Sequence, residues 1–430
     1  MKGLSQIRGG YSMKMQIIDT SCYRRRLELE QVRNYFEGNG YDLVQEDFEV
    51  DPSADVIFLS TCGFTQAAED FGLRTLERIE QNRRRDCTLI VGGCLPKINP
   101  DSLASYSTVD PRNYNRLDHF FQMDIPFQEF PRPNTLRDWK LHAAYREHGL
   151  MKTDESQLDE VALATKKDNI RAVVGINKEI NKNLTDKTAG FRVQCVEGCA
   201  CHCTYCAIKL AIGKSTSRPV KEIMEEIRGG IDEGYKRIYL EGDSLGGYGL
   251  DIGSNLGVLL DEVIVAVANT DVEVNITDIS PMFLKYCVNQ VITLGQMNKL
   301  FNFYIPIQSG SQRILNRMRR GYDIEATKKL IQQIKNNCSI RIGTSIIIGF
   351  PGETMDDLKL TIDMCKELGF NYVFTHSFSA RSGTEAFHMP DQLSGEEILR
   401  RSRLFKDALR DCTEFITIAE DTKGNRTCQG

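Results

Sequence analysis

No stretch of this chain reaches the roughly 20 consecutive apolar residues that a membrane span requires, and residues 1–20 carry basic side chains without the apolar run of a secretory signal. A cytoplasmic location with no membrane partner is expected. Positive charge is not in excess either: 54 Lys and Arg stand against 59 Asp and Glu, for a formal net charge of −5. Nothing in that balance draws the whole molecule to a phosphate backbone, although a local basic face would still be compatible with it. Low-complexity tracts are missing, and 41% hydrophobic with 26% charged residues excludes a disordered chain. What is plentiful is cysteine, 14 in 430 residues. In a reducing compartment disulfides do not persist, so these thiols stay free or bind metal, and their clustering matters more than their number.

The length allows two or three domains. In residues 1–105 a short apolar strand is followed three times by a turn with a Cys. Met15 to Ile18 leads to Cys22 and a helical pattern (Leu27, Leu29, Val32, Tyr35, Phe36) that stops at Gly38-Asn39-Gly40. Val56 to Leu59 leads to Cys62 and a charged helix over Gln66 to Arg85, and Thr88 to Val91 leads to Gly92, Gly93 and Cys94. Alternating strands and helices predict a parallel sheet whose loops gather at one edge, where open α/β sheets bind ligands. Cys22, Cys62 and Cys94 are expected there. Each alone reads more readily as a small buried residue, and it is the three equivalent loop positions in one sheet that favour a shared site.

Residues 106–189 loosen into polar, Pro-containing sequence and read as a linker with an insertion. From 190 to 388 the alternation returns, with strands at Arg237–Leu240, Val272–Ile276, Phe303–Ile307, Ile342–Ile348 and Tyr372–Ser377. Helices are expected at Val220–Glu233, Ile324–Lys335 and Met355–Leu368, which together suggest a complete or partial α/β barrel. Residues 389–430 form a C-terminal helical extension, opened by a capping box of Ser394 and Glu397 and running toward Cys412.

The densest chemistry lies in Glu197-Gly198-Cys199-Ala200-Cys201-His202-Cys203-Thr204-Tyr205-Cys206. Thiolates at Cys199, Cys203 and Cys206 can hold three irons of a cubane and leave the fourth open to chelate a ligand. Zinc, which also favours dense Cys and His spacing, is the alternative, and Cys201 could compete as a ligand.

With Gly213-Lys214 and Ser217-Arg218-Pro219, this loop resembles that of the radical S-adenosylmethionine methylthiotransferases, which act on tRNA or a ribosomal protein. Ala54-Asp55-Val56, Thr61 to Phe64 and Gly93-Cys94-Leu95 match the N-terminal domain of that family. Leu240 to Asp251, Pro306 to Ser311, Met318 to Tyr322, Gly349 to Thr354 and Ser382-Gly383-Thr384 match further segments in order.

The resemblance implies an N-terminal parallel-sheet methylthiotransferase domain followed by a radical SAM partial (β/α) barrel. It implies two [4Fe–4S] clusters: Cys199, Cys203 and Cys206 would hold the cluster that cleaves S-adenosylmethionine, and Cys22, Cys62 and Cys94 an auxiliary cluster carrying the sulfur that is transferred. Tyr205, Gly242, Asp243, Gln308, Ser311, Arg320 and Gly349 would line the cofactor site. A reducing system such as flavodoxin or ferredoxin is the implied electron partner.

Two departures bear on the substrate. Residues after Cys412 cannot build the small C-terminal β-barrel (TRAM) domain usual in the family. Cys22 sits in Thr20-Ser21-Cys22-Tyr23-Arg24-Arg25-Arg26, whose Arg run reads as a solvated helix start or as a contact for acidic peptide or phosphate. A peptide or protein substrate is therefore expected over tRNA, and residues 106–189 would dock it. A two-cluster peptide maturase with another outcome and a zinc-stabilised RNA-binding module are the remaining readings.

Overall fold

The computed structural model describes residues 12–44, 49–136, 190–410 and 414–415. Most of the expected insertion and the segment around Cys412 lie outside the described residues. The chain divides into two compact units. The first takes the N-terminal residues up to 153 together with Cys206–Gly213 and Ala380–Phe387, and the second takes the remainder.

The first unit is built on five strands: β1 (Lys14–Asp19), β2 (Asp42–Leu43), β3 (Val56–Thr61), β4 (Thr88–Gly93) and β5 (Ser107–Thr108). They run in the order β2-β1-β3-β4-β5, and every pairing is parallel. β3 is buried at all six positions, as a strand covered on both faces must be. Its side chains alternate. Phe58 joins Met15, Ile17 and Ile90 under helix Arg26–Gly38, while Ile57 and Leu59 join Ile18, Leu89 and Val91 under helix Gln66–Asn82.

Two expectations need correcting here. No boundary falls at residue 105, because β5 extends the sheet and Tyr114, Leu117, Phe121 and Phe127 complete its core. Phe127 meets Tyr35 edge-on at 5.3 Å, and Phe121 meets Phe36 at 5.2 Å. These residues sit in single turns and a four-residue helix, so they leave no hydrophobic period to read. The Arg run is mostly withdrawn from solvent. Arg25 and Arg26 are buried, Arg25 pairs with Glu28 at 2.5 Å, and Arg33 pairs with Glu30 at 2.9 Å on the same buried helix.

The second unit carries eight strands: β6 (Phe191–Glu197), β7 (Thr216–Ser217), β8 (Arg237–Gly242), β9 (Glu273–Ile276), β10 (Leu300–Gln308), β11 (Ile342–Ile348), β12 (Tyr372–Ser377) and β13 (Glu414–Phe415). Their order is β13-β12-β11-β10-β9-β8-β6-β7, parallel throughout except for β6 with β7. This open sheet is compatible with a partial barrel. Ile238, Leu240, Val274, Ile276, Phe303, Ile305, Ile342 and Ile346 join the helices in one apolar core. The intervening Tyr239, Glu241, Asn275 and Tyr304 face the other way.

Helix Met355–Leu368 opens with a full capping box between Thr354 and Asp357 and ends at Gly369. At helix Gly395–Leu409 the expected box is only half present: Ser394 accepts from the Glu397 N–H, but the Glu397 carboxylate binds Arg400 and Arg401 instead. Among the described residues no helix is long and apolar enough to cross a membrane.

Candidate active site

The cysteine loop leaves the end of β6 through Gly198, whose N–H donates to the Asp243 carboxylate at 2.8 Å. Asp243 follows β8, so two neighbouring strand ends fix where the loop begins. Cys199 accepts from the Cys201 N–H at 3.3 Å. Its thiol is lowered to about 6, first by a hydrogen bond from the Cys201 side chain, with the Cys201 backbone and Ser244 adding to it against burial. Cys203 is lowered to about 5, again first by Cys201, with Arg320 contributing its charge and a 3.1 Å hydrogen bond. Both sites favour the thiolate, which is the form that binds iron. Among the described residues no group of three or more His, Cys, Asp and Glu side chains stands as a preformed metal-ion site.

The remaining expected residues divide by what already occupies them. Arg320 is buried beside the loop, donating to Cys203, to the Tyr205 hydroxyl at 3.4 Å and to the Pro306 carbonyl at 2.6 Å. Tyr205 also packs edge-on against Phe350. Gln308 ends β10 with φ of 80°, and its buried Oε1 has no hydrogen-bond partner. Ser311 is committed elsewhere: it caps helix Gln312–Arg317 and donates to Asp357 at 2.6 Å. Gly242 makes room for Val196, whose Cγ1 would lie 2.7 Å from an added Cβ. Gly349 adopts φ of 82° with Ile398 2.4 Å from where a Cβ would stand, and its N–H donates to Glu353 at 3.1 Å.

In the first unit Cys22, Cys62 and Cys94 follow β1, β3 and β4, which places Cys62 against Cys22 and leaves Cys94 near enough to act on it by charge. Cys62 is raised well above its ordinary value, first by a hydrogen bond to Cys22, then by burial and by the charges of Cys22 and Cys94. Cys94 is placed by Gly93, which has φ of 89° and lies so close to β3 that a Cβ would sit 2.2 Å from the Thr61 carbonyl. The Cys94 N–H donates to that same carbonyl at 3.0 Å. Behind it Ile98, Ala207 and Ala211 close a small apolar cluster, in which Ala211 comes from helix Ile208–Ile212, just beyond Cys206.

Several residues escape sequence reasoning. Asn275 Oδ1 and Ser280 Oγ are buried without partners at and after the end of β9. The Cys201 sulfur lies 3.7 Å from Met282 Sδ. Arg381 is buried in an ion pair with Glu69 and donates to Gln66 at 2.5 Å. Lone polar residues at strand ends offer a weak signal for the first two, whereas the Arg381–Glu69 pair spans 312 positions and offers none.

Comparison with known proteins extends this picture. The Radical SAM superfamily matches residues 193–365, and the uncharacterized protein family UPF0004 matches residues 14–111. A probable threonylcarbamoyladenosine tRNA methylthiotransferase of Pyrococcus abyssi is 26% identical, over 91% of this chain and 83% of its own length. A tRNA-2-methylthio-N(6)-dimethylallyladenosine synthase of Fusobacterium nucleatum is also 26% identical, over 91% and 82%. A radical S-adenosylmethionine methyltransferase of Kitasatospora setae, solved with cobalamin and a [4Fe–4S] cluster, shares the fold at a TM-score of 0.56 and 12% identity, over 87% of this chain and 77% of that one. With both domains matched in order over most of its length, the chain belongs to the radical S-adenosylmethionine methylthiotransferases, enzymes of sulfur-group transfer that use [4Fe–4S] clusters and S-adenosylmethionine.

Proposed function

We propose that this enzyme inserts a methylthio group at an unactivated C–H carbon of a peptide or protein, using Cys199, Cys203 and Cys206 for the radical cluster and Cys22, Cys62 and Cys94 for the sulfur-carrying one. The observation that carries the reading is the presence of two separate sets of thiols, one in a single loop and one gathered from three. The donors are soft and suit iron–sulfur clusters. The buried, unpartnered atoms of Asn275, Ser280 and Gln308 are the kind that a polar cofactor satisfies. When bound, the clusters and S-adenosylmethionine supply the electron, the radical and the sulfur.

The chain's own residues bind and orient. Asp243 fixes the start of the cluster loop through Gly198. Arg320 holds the Cys203 thiolate in place and balances its charge. Gly93 sets Cys94, and the apolar cluster of Ile98, Ala207 and Ala211 keeps water from its buried side.

Two observations favour a peptide over RNA. Net charge is −5, and three arginines of the two Arg runs, residues 24–26 and 83–85, are paired with carboxylates. Arg25 pairs with Glu28, Arg83 with Glu80, and Arg84 with Asp55 and Asp86, so these groups do not supply the free cations that bind phosphates. tRNA is the second reading, favoured by the names of both curated relatives. Anaerobic reaction of the reconstituted enzyme with candidate peptides and with unmodified tRNA decides between them by mass spectrometry. One methylthio group in place of hydrogen on a peptide supports the proposal. The same gain on a tRNA nucleoside alone selects the second reading, and dehydrogenation, epimerisation or an internal thioether overturns methylthiotransfer itself.

A further inference from the structure

Arg25, Arg33, Arg381 and Arg401 are buried arginines that each meet a carboxylate, from Glu28, Glu30, Glu69 and Glu353 in turn. Arg320 is as deeply buried, at 5% exposure, and forms no ion pair among the described residues. Its guanidinium donates to the Cys203 sulfur at 3.1 Å, to the Tyr205 hydroxyl at 3.4 Å and to the Pro306 carbonyl at 2.6 Å, and it lies 5.7 Å from the centre of the Tyr322 ring. Its buried Nε has no acceptor. A cation placed this way is costly to bury unless an opposite charge arrives beside it. The chain nevertheless holds it there. Thr204, the residue after Cys203, donates its N–H to the Met318 carbonyl at 3.1 Å and its hydroxyl to the Arg317 carbonyl at 3.0 Å. The cysteine loop thus grips the turn that carries Arg320, and Arg320 reaches back to the loop. On either side of it Arg319 and Gly321 take φ of 54° and 71°, so the backbone accepts a left-handed Arg319 to aim the guanidinium inward. Holding the loop needs only the neutral bonds of Thr204, which leaves the charge of Arg320 to be explained.

We propose that Arg320 is a positioning residue whose buried positive charge, acting through the Cys203 sulfur, raises the reduction potential of the radical cluster, which rests on the reading of Cys203 as a ligand of that cluster. A [4Fe–4S] cluster with its thiolates is a net anion, and it supplies the opposite charge that the fold withholds from Arg320. Reduction adds one electron from a low-potential one-electron donor of the flavodoxin or ferredoxin class. No proton moves and no bond breaks, so the site becomes one unit more negative while Arg320 keeps its charge. A fixed cation and a hydrogen bond to the ligand sulfur both favour the more negative, reduced form.

The test uses the full chain carrying Cys22→Ala, Cys62→Ala and Cys94→Ala, so that any remaining cluster is the radical one, with Arg320 intact or changed to Gln or Lys. Iron and acid-labile sulfide give the loading, and electron paramagnetic resonance of the reduced cluster during an anaerobic potentiometric titration gives the midpoint. At the potential where half of the parent's cluster is reduced, Arg320→Gln should show a ratio of reduced to oxidised cluster at least about tenfold lower, a shift of about 59 mV to the negative side for a one-electron couple. Arg320→Lys keeps the charge but loses the fork, and should fall between. A role confined to holding the loop predicts fewer loaded clusters with an unchanged midpoint. A midpoint equal to the parent's in Arg320→Gln, or moved to the positive side, would overturn the proposal. Where Arg320→Gln loads too little iron to titrate, Arg320→Lys is read by the same criterion. Should the triple variant not fold, the same titration is made on the otherwise unaltered enzyme, following the signal that changes when S-adenosylmethionine is added. A folded parent, judged by circular dichroism, that keeps Cys199, Cys203 and Cys206 but holds no iron removes the cluster assignment itself, and the role of Arg320 with it.

Discussion

The two sets of cysteines are built in opposite ways. Cys199, Cys203 and Cys206 occupy one loop of eight residues, while Cys22, Cys62 and Cys94 come from three loops of one parallel sheet. A local set is specified by spacing, and the Cys199 and Cys203 thiols are already eased toward the charged form, first by Cys201 two residues away. An assembled set is only as good as the sheet that assembles it. Its central member, Cys62, is buried and pushed toward the neutral thiol by Cys22, so metal has to displace a proton there. The difference teaches that one triad can survive moderate damage to the fold and the other cannot.

The largest expected effect separates the triads by function. Cys203→Ala should abolish formation of 5′-deoxyadenosine from S-adenosylmethionine and leave about four irons where the intact enzyme holds about eight. Cys62→Ala should also leave about four, yet keep 5′-deoxyadenosine formation while losing the methylthio product. Iron analysis with liquid chromatography of both products checks this. Loss of 5′-deoxyadenosine in Cys62→Ala would collapse the comparison, because the two sets would then act as one.

The same contrast governs what could be read from the sequence. The strands Ile342–Ile348 and Tyr372–Ser377 and the helix Met355–Leu368 stand where their residue pattern puts them. Their apolar runs and caps are local signals. The Cys199–Cys206 loop is a local signal of the same kind, and the position of Cys22, Cys62 and Cys94 after β1, β3 and β4 follows from the strand pattern. What stayed hidden depends on distant partners. Arg25 and Arg26 read as solvent-facing until Glu28 and burial account for them. Tyr114 and Phe127 had no periodicity to betray that they finish the first core. Ser311 resembled a cofactor contact but is consumed by Asp357, 46 residues later.

A second prediction sharpens the dependence of the assembled set on its sheet. Gly93→Ala places a Cβ 2.2 Å from the Thr61 carbonyl in a backbone conformation that disfavours alanine. It should destabilise the protein by about 3 kcal/mol and lower the iron held by Cys22, Cys62 and Cys94. Gly229→Ala, inside helix Val220–Asp232 with no atom within 4 Å of the new Cβ, is the control and should stabilise by about 0.5–1 kcal/mol. Urea midpoints measure both. A neutral Gly93→Ala would mean that the approach of β4 to β3 has slack and that Cys94 is placed by something else.

The smallest effect asks whether a distant contact in the second unit follows the same logic. Glu353 lies just beyond β11, accepting from the Gly349 N–H and from Arg401, 48 residues away, at 3.1 Å each. Burial raises its carboxyl to about 7, and Asp357 adds to this, while Arg401 and Gly349 pull the other way. A carboxyl raised in the folded state holds its proton more tightly there than in the unfolded chain. Its stabilising contribution is therefore complete below the ordinary value near 4.5 and drains away as pH climbs to about 7. Glu353→Gln does not titrate, so the stability of the natural protein relative to this variant should fall by on the order of 2 kcal/mol across that window and stay level above it. Thermal unfolding between pH 4.5 and 8 checks the slope. A slope of the opposite sign would mean that Arg401 outweighs burial, and that helix Gly395–Leu409 holds the Gly349 loop through a true ion pair rather than through a carboxyl that is half protonated near neutral pH.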